Sequence, residues 1–291
     1  MKPAKFDYYS PATIDEALLL LGRYQGEARV LAGGQSLVPM MNFRLATPAA
    51  IVDLNRVPGL AKVEATNGTI SIGAMARQRQ LEFAPLIRAQ LPLLSEALRW
   101  VGHLPTRTRG TIGGSIAHAD PAAEIPMVLQ TMVGEVVVRG PQGERRIAAP
   151  DLFLAPLTTA LGPDEILTEV RFPVTPPGAG CAIEEFARRK GDFAIAAIAV
   201  VLVRDGERCT MAHLATAGIG PVPVRLYEAE AILQEKGLGE TAIAEATQRA
   251  AELVEPMADH NASADFRRHL TGVLTRRAVV KARDRRDVRT G

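Results

Sequence analysis

Two glycine-rich turns carry the residue types that could hold an anion. The first is Val30-Leu-Ala-Gly-Gly-Gln-Ser-Leu37. A short strand is expected over residues 29–32, two glycines follow, and helical character begins near Val38. Glycines let a backbone approach a ligand closely, and successive N–H groups can face a negative charge. Alone, such a turn is better explained as a tight bend whose glycines serve positive φ. The second turn is Gly110-Thr-Ile-Gly-Gly-Ser-Ile116. It repeats the pairing of Gly-Gly with a hydroxyl, Ser115 here and Ser36 in the first. Two turns of like make-up, far apart in sequence, suit the two sides of one diphosphate clamp. A Walker pattern is absent from the sequence. Gly237-Leu-Gly-Glu-Thr-Ala242 matches a dinucleotide pattern only superficially, because it follows a helix-like stretch and not a strand.

Other reactive side chains read as structural. His118, Asp120 and Glu124 near one loop do not by themselves make a metal site, and no metal is assigned. His118 is expected to be a polar neighbour of the second turn. Cys181 and Cys209 fall on or beside strands and are expected to be buried thiols. Trp100 ends an apolar helix and is expected in the core. The basic stretch 276–286 is read as a solvated helix face.

The elements that must position the two turns follow from patterning. Thr13-Ile-Asp-Glu16 is a capping box, so a helix should run to about Tyr24. Residues 50–54 read as a strand. Asn67-Gly68 predicts a two-residue hairpin between 62–65 and 69–73, and residues 140–143 predict another between 136–139 and 144–147. Residues 91–101 and 121–132 are expected to be helical, the latter opened by Pro121, with 106–119 as a polar loop between them. A short turn or helix is expected at 150–153 and a strand at 166–172. The Pro/Gly cluster 173–180 is the clearest domain boundary. Beyond it, segments 182–187, 194–203 and 209–217 predict an antiparallel meander turning at Asp205-Gly206. Helices follow at about 225–235, 240–253 and 264–282.

The chain has 291 residues, ordinary globular composition, and 34 basic against 32 acidic side chains. Balanced charge leaves no electrostatic footprint for nucleic acid or an anionic membrane. Two cysteines cannot hold an iron–sulfur cluster, which needs about four ligands. Any redox chemistry must therefore use an organic cofactor, or metals on other chains. No stretch has the length of a membrane span or of a signal-peptide core, and the chain is read as soluble and cytoplasmic.

The turns Ala32–Met41 and Thr111–Ser115 resemble the two flavin-diphosphate loops of the FAD-binding medium subunit of the molybdenum hydroxylases, the carbon monoxide dehydrogenase and xanthine dehydrogenase type. Phe6-Asp-Tyr8 with Pro11, Ile51-Val-Asp-Leu54, Arg188-Arg-Lys-Gly-Asp-Phe193 and Gly218–Arg225 agree with that family in order, so the resemblance spans nearly the whole chain. It implies an α+β fold. A two-lobed FAD-binding domain of the PCMH type would cover 1–175, with lobes at about 1–57 and 58–175. A smaller α+β domain with an antiparallel sheet and helices would cover 176–291. It also implies roles. Val30, Leu31, Ala32, Gly33, Gly34, Gln35, Ser36 and Leu37 would wrap the pyrophosphate, with Ser36 donating a side-chain bond. Thr111, Ile112, Gly113, Gly114 and Ser115 would form the second loop. Val101 would lie beside the flavin, Glu124 would bond the nucleotide part, and Leu167 would make an apolar backbone contact. Asp192 and Phe193 would lie near the isoalloxazine, with Phe193 over one ring face. No side chain is named catalytic.

Two positions depart from the family. Gln35 replaces a frequent His and cannot anchor a flavin covalently, so non-covalent FAD is expected. Glu185 stands where relatives often carry Lys. The resemblance further implies a large molybdenum-cofactor subunit and a small [2Fe–2S] subunit as partners, in an (LMS)2 heterohexamer. Electrons would cross the clusters to FAD and pass to an external acceptor. A stand-alone FAD-dependent oxidoreductase of the same fold, or a ligand-binding scaffold, are the rival readings. A bulky residue at Gly33, Gly34, Gly113 or Gly114 is expected to displace the diphosphate and leave the fold intact.

Overall fold

The computed structural model describes residues 1–206 and 208–285. The N-terminal unit is a parallel three-stranded sheet with two helices. Its elements are β1 (Asp7–Tyr9), α1 (Ile14–Tyr24), β2 (Ala28–Leu31), α2 (Leu37–Asn42) and β3 (Ala50–Asp53), and β3 is the central strand. The capping box forms with a shifted return bond. Thr13 Oγ1 accepts from Glu16 N at 3.2 Å, while Glu16 Oε2 accepts from Ala12 N at 2.8 Å, one residue earlier than the usual pattern. The apolar face of α1 packs on β2 and β3 through Ala17 and Leu21.

A five-stranded antiparallel sheet follows. It contains β4 (Val63–Thr66), β5 (Thr69–Gly73), β6 (Glu135–Gly140), β7 (Gly143–Ala148) and β10 (Ile166–Pro173), in the order β4-β5-β10-β6-β7. Both expected hairpins are present, and Asn67 and Gly68 take the positive φ values of 49° and 77° that a two-residue turn demands. The helices inserted between β5 and β6 are α3 (Gln78–Phe83), α4 (Pro85–Gln90), α5 (Pro92–Ala97), α6 (Leu104–Arg109), α7 (Ile112–His118) and α8 (Glu124–Thr131). A short α9 (Ala149–Leu152) and a hairpin of β8 (Phe153–Ala155) and β9 (Thr158–Thr159) precede β10.

Three expectations need correction here. Residues 106–119 are not a loop, because Pro105 starts α6 and the Thr111 side chain caps α7. Helix α8 begins at Glu124 and not at Pro121, because Asp120 Oδ1 accepts from Ala122 N at 2.8 Å and holds 121–123 in a turn. Helix α5 ends at Ala97, well short of Val101.

The C-terminal part is a four-stranded antiparallel sheet of β11 (Gly180–Phe186), β12 (Ala196–Asp205), β13 (Arg208–Ala217) and β14 (Val224–Arg225), followed by α10 (Tyr227–Lys236), α11 (Glu240–Leu253) and α12 (Ala264–Asp284). Residues of β12 alternate between two cores. Ala197, Ala199 and Val201 join the core of the five-stranded sheet and its helices, while Ala196, Ile198, Val200 and Leu202 pack under α10–α12. Burial on both faces explains the unbroken apolar run of that strand. Cys181 and Cys209 are buried thiols on β11 and β13, and Trp100 packs against the main core. The basic face of α12 is less solvated than expected. Lys281 bonds Glu184 at 2.7 Å and Glu96 at 3.1 Å, and Arg285 also reaches Glu96, tying α12 to β11 and α5. Arg286 lies outside the described residues.

The start of β11 runs directly against this end of α12. A Cβ on Gly180 would overlap the carbonyl oxygen of Ala282. Gly180→Ala is expected to lower stability by about 1–3 kcal/mol through overpacking, read as an earlier midpoint in urea unfolding of the full chain.

Candidate functional site

The first glycine turn is built as a strand end opening into a helix. Strand β2 stops at Leu31, Gly34 takes φ +73°, and α2 starts at Leu37. That positive φ suits glycine and turns the chain sharply. Among the described residues, no hydrogen bond within the chain uses the backbone N–H of Gly33, Gly34, Gln35 or Ser36. The Ser36 hydroxyl is likewise uncommitted: Ser36 precedes α2 but makes no side-chain cap. Backbone donors are seldom left without an acceptor, so this run is suited to a ligand rich in acceptor oxygens. The loop is held from behind. Asn55 donates from Nδ2 to Ala32 O at 3.0 Å, and Asp53 Oδ1 accepts from Asn55 N at 2.8 Å.

The second turn is already occupied by its own structure. Thr111 Oγ1 accepts from Gly114 N at 3.0 Å, Ile112 N donates to Ala76 O at 3.1 Å, Gly113 N to Ala74 O at 2.9 Å, and Ser115 N to Thr111 O at 3.2 Å. Residues 112–115 therefore offer a ligand the Ser115 hydroxyl and a small-residue surface, not a row of free N–H groups.

The two turns touch. A Cβ at Gly33 would sit 2.5 Å from Arg109 O and 2.8 Å from the Gly110 Cα. Arg77 crosses the same junction, donating to Arg109 O and to Asn55 Oδ1, and Gln78 N donates to Gly110 O at 2.9 Å. A Cβ at Gly113 would likewise meet Ala74 Cβ at 2.5 Å. This overturns the expectation that substitution at these glycines leaves the fold intact. At Gly33 and Gly113 the added atom strikes backbone or a packed neighbour, so the protein suffers before any ligand does.

The two turns face a cavity of about 1180 Å³. Drug-sized ligands occupy about 300–1,000 Å³, so this one suits a larger, extended molecule. Val30, Ala32, Gly33, Gly34, Gln35, Ser36 and Leu37 line it, as do Thr111, Gly113, Gly114 and Ser115. So do Val101, Glu124, Leu167, Asp192 and Phe193. Leu31 and Ile112 do not line it, and Ile112 is fully buried in the main core. Phe193 is 73% exposed, which leaves its ring available to cover a ligand. Gln35 turns back on its own loop, donating from Nε2 to Gly33 O at 3.3 Å. Sequence reasoning missed Asn55, Arg77 and Gln78. Nothing local marks them, because they act by bridging segments far apart in the chain.

Burial dominates the electrostatics of the inner wall. It holds the His118 ring below its ordinary pKa, against the pull of Asp120. It pushes the Glu124 carboxyl up, to about 7, with Asp120 adding to the rise and Arg107 opposing it. Glu185 is pushed up to about 9, by burial first and by Glu124 second. Arg107 itself bonds Glu82 Oε2 at 3.1 Å and Val101 O at 2.9 Å, fixing the segment that carries Val101. For Gly33→Ala we expect a stability loss of about 1–3 kcal/mol in the ligand-free chain, measured by chemical denaturation, because the two turns must separate to admit the methyl.

Residues 4–175 match the family described as the FAD binding domain in molybdopterin dehydrogenase, and residues 182–282 match the CO dehydrogenase flavoprotein C-terminal domain. The chain is 40% identical over 283 residues to the 6-hydroxypseudooxynicotine dehydrogenase complex subunit alpha of Paenarthrobacter nicotinovorans, covering 97% of this chain and 96% of that one. It is 35% identical over 279 residues to the carbon monoxide dehydrogenase medium chain of Hydrogenophaga pseudoflava, covering 96% and 97%. A solved structure of reconstituted CO dehydrogenase from Oligotropha carboxidovorans superposes with a TM-score of 0.96 at 36% identity, over 98% of this chain and 100% of that one. With both family matches in chain order and relatives matched over nearly their full length, the chain belongs to the FAD-binding flavoprotein subunits of the molybdopterin dehydrogenases, a family of oxidoreductases.

Proposed function

We propose that this chain is the FAD-carrying electron-transfer subunit of a heteromeric molybdenum hydroxylase. It would accept electrons from [2Fe–2S] clusters on a small subunit and pass them to an external acceptor. Substrate would be oxidised at a molybdenum cofactor on a large subunit, in an (LMS)2 heterohexamer in the cytoplasm. The observation that carries this reading is the run of uncommitted N–H donors at Gly33–Ser36, residues that line a cavity of about 1180 Å³. Bound FAD supplies the redox chemistry, storing a pair of electrons in its isoalloxazine ring.

The chain's own residues bind, orient and exclude water. The 33–36 backbone and the Ser36 hydroxyl would donate to the diphosphate from one side, and the Ser115 hydroxyl from the other. Val101 and Leu167 supply apolar wall, and Asp192 and Phe193 stand where a ring system can be covered. The Gln35 amide donates to its own loop, and an amide at that position is not a covalent anchor for a flavin, which supports non-covalent binding. The relatives named above act on chemically unlike substrates, which fits substrate choice residing on another subunit. The cavity is lined both by residues up to Leu167 and by Gly191, Asp192 and Phe193, which supports a flavin lying against the proposed boundary between the FAD domain (1–175) and the C-terminal domain (176–291).

Titrating the full chain with FAD, followed by quenching of flavin fluorescence, tests this. One FAD per chain, released intact by acid precipitation, is expected. Ser36→Ala should weaken binding roughly tenfold, the equivalent of about 1.5 kcal/mol for one hydrogen bond to a charged group. A chain with no affinity for FAD overturns the reading, as does native purification of an active single chain with neither molybdenum nor iron.

A further inference from the structure

Glu124 lines the inner wall of the cavity, and a second carboxyl, Glu185, stands behind that wall with no counter-ion of its own. Glu124 opens α8 and lines the cavity, yet is only 7% exposed. Glu185, on β11, is not part of the lining. It pairs across the sheet with Ala197 and through it with Ala217, both on the face toward the main core. The next residue, Gly218, donates from its N–H to Pro121 O at 2.7 Å just before α8, which brings Glu185 within electrostatic reach of Glu124. Its Oε2 is buried and has no hydrogen-bond partner. Among the described residues, neither carboxyl has an ion pair, and Glu124's own backbone N–H, which favours its ionised form, is outweighed by burial. Two ligands also fall short of the three or more that a metal site draws on, and no such group occurs among the described residues.

Charges from the elements packed around the pair do not neutralise it. On the loop before α8, Asp120 adds repulsion. On α6, Arg107 attracts Glu124 from a distance but is bonded to Glu82 of α3. On α5, Glu96 is held by Lys281 and Arg285, and on β11, Glu184 is held by Lys281. Burial holds the His118 ring of α7 below its ordinary pKa, and His213 of β13 bonds Thr131 O at the far end of α8. Two carboxyls withdrawn from water without a counter-ion each oppose the other's ionisation, so they hold protons as one unit.

We propose that Glu124, on the cavity wall, and Glu185, behind it, form one proton-binding unit, and that protons held there raise the affinity of the cavity for an anionic dinucleotide. This rests on the cavity being the FAD site. A protonated carboxyl at Glu124 can donate a hydrogen bond to the ligand as well as accept one. An ionised one can only accept, and adds negative charge beside a diphosphate. The sign follows. Affinity is highest on the acid side and falls as pH rises through and above neutrality, where the unit loses its protons. By linkage, FAD binding near neutral pH must draw protons from solution into the unit.

The test is FAD titration of the flavin-free full chain from pH 6 to 9. The phosphates of FAD keep constant charge over this range. The wild-type Kd is expected to rise by up to about tenfold per pH unit for each proton lost. Binding at pH 7.5 in weak buffer should take up protons, seen with a pH indicator. In the double variant Glu124→Gln/Glu185→Gln, whose amides mimic protonated carboxyls, the Kd should be nearly independent of pH and proton uptake should vanish. Single variants should each keep a shallower slope. A flat wild-type profile, proton release on binding, or a double variant with the wild-type slope overturns the proposal while FAD binding itself survives. Absence of FAD binding at every pH overturns both this proposal and the functional reading beneath it.

Discussion

The contact between Gly33 and the backbone of Arg109–Gly110 is the constraint on which the rest depends. It joins the parallel N-terminal sheet to the helices inserted in the five-stranded sheet, with only hydrogen atoms of glycine between the two chains. Arg77, Asn55 and Gln78 lace the same junction with polar bonds. Once the two units meet there, residues 33–36, whose N–H groups have no acceptor within the described chain, line the space between them. Side chains at those positions matter little; the donors are backbone, and their directions are set by the glycine contact. A site made this way is pre-organised, because no rotamer has to be frozen when a ligand arrives.

Much of this architecture is legible in the sequence, and the failures have physical causes. The two hairpins were readable because positive φ at Asn67-Gly68 and a tight Gly140–Gly143 connection are local demands. The C-terminal meander and its helices were readable because alternation and amphipathicity persist over many residues. Residues 106–119 defeated the same approach. Their two helices are each under eight residues, too short to show a helical period, and are started by Pro105 and the Thr111 cap.

Site residues divide along the same line. The glycine turns announce themselves by composition, but composition does not say which donors are spoken for. The N–H groups at 33–36 are uncommitted and those at 112–115 are consumed by Ala74, Ala76 and Thr111, a difference that comes entirely from tertiary contacts. The neighbouring positions of Glu124 and Glu185 are equally invisible in sequence, since one opens a helix and the other lies on a strand beyond the Pro/Gly boundary. That strand is not an appendage. One face of its sheet completes the main core, so the inner wall of the cavity is finished only when the C-terminal part is in place.

Strand β10 has a history as well as a position. It is central in the five-stranded sheet, bonded to β5 on one side and β6 on the other, yet it is the last of the five to be synthesised. On the ribosome, the β4–β5 and β6–β7 hairpins exist first, each with an open edge that β10 will later fill. Non-local pairing of this kind is slow to form, and unfilled edges are templates for pairing with other chains. The nascent protein is thus most exposed to misassembly in the interval before residues 166–173 emerge.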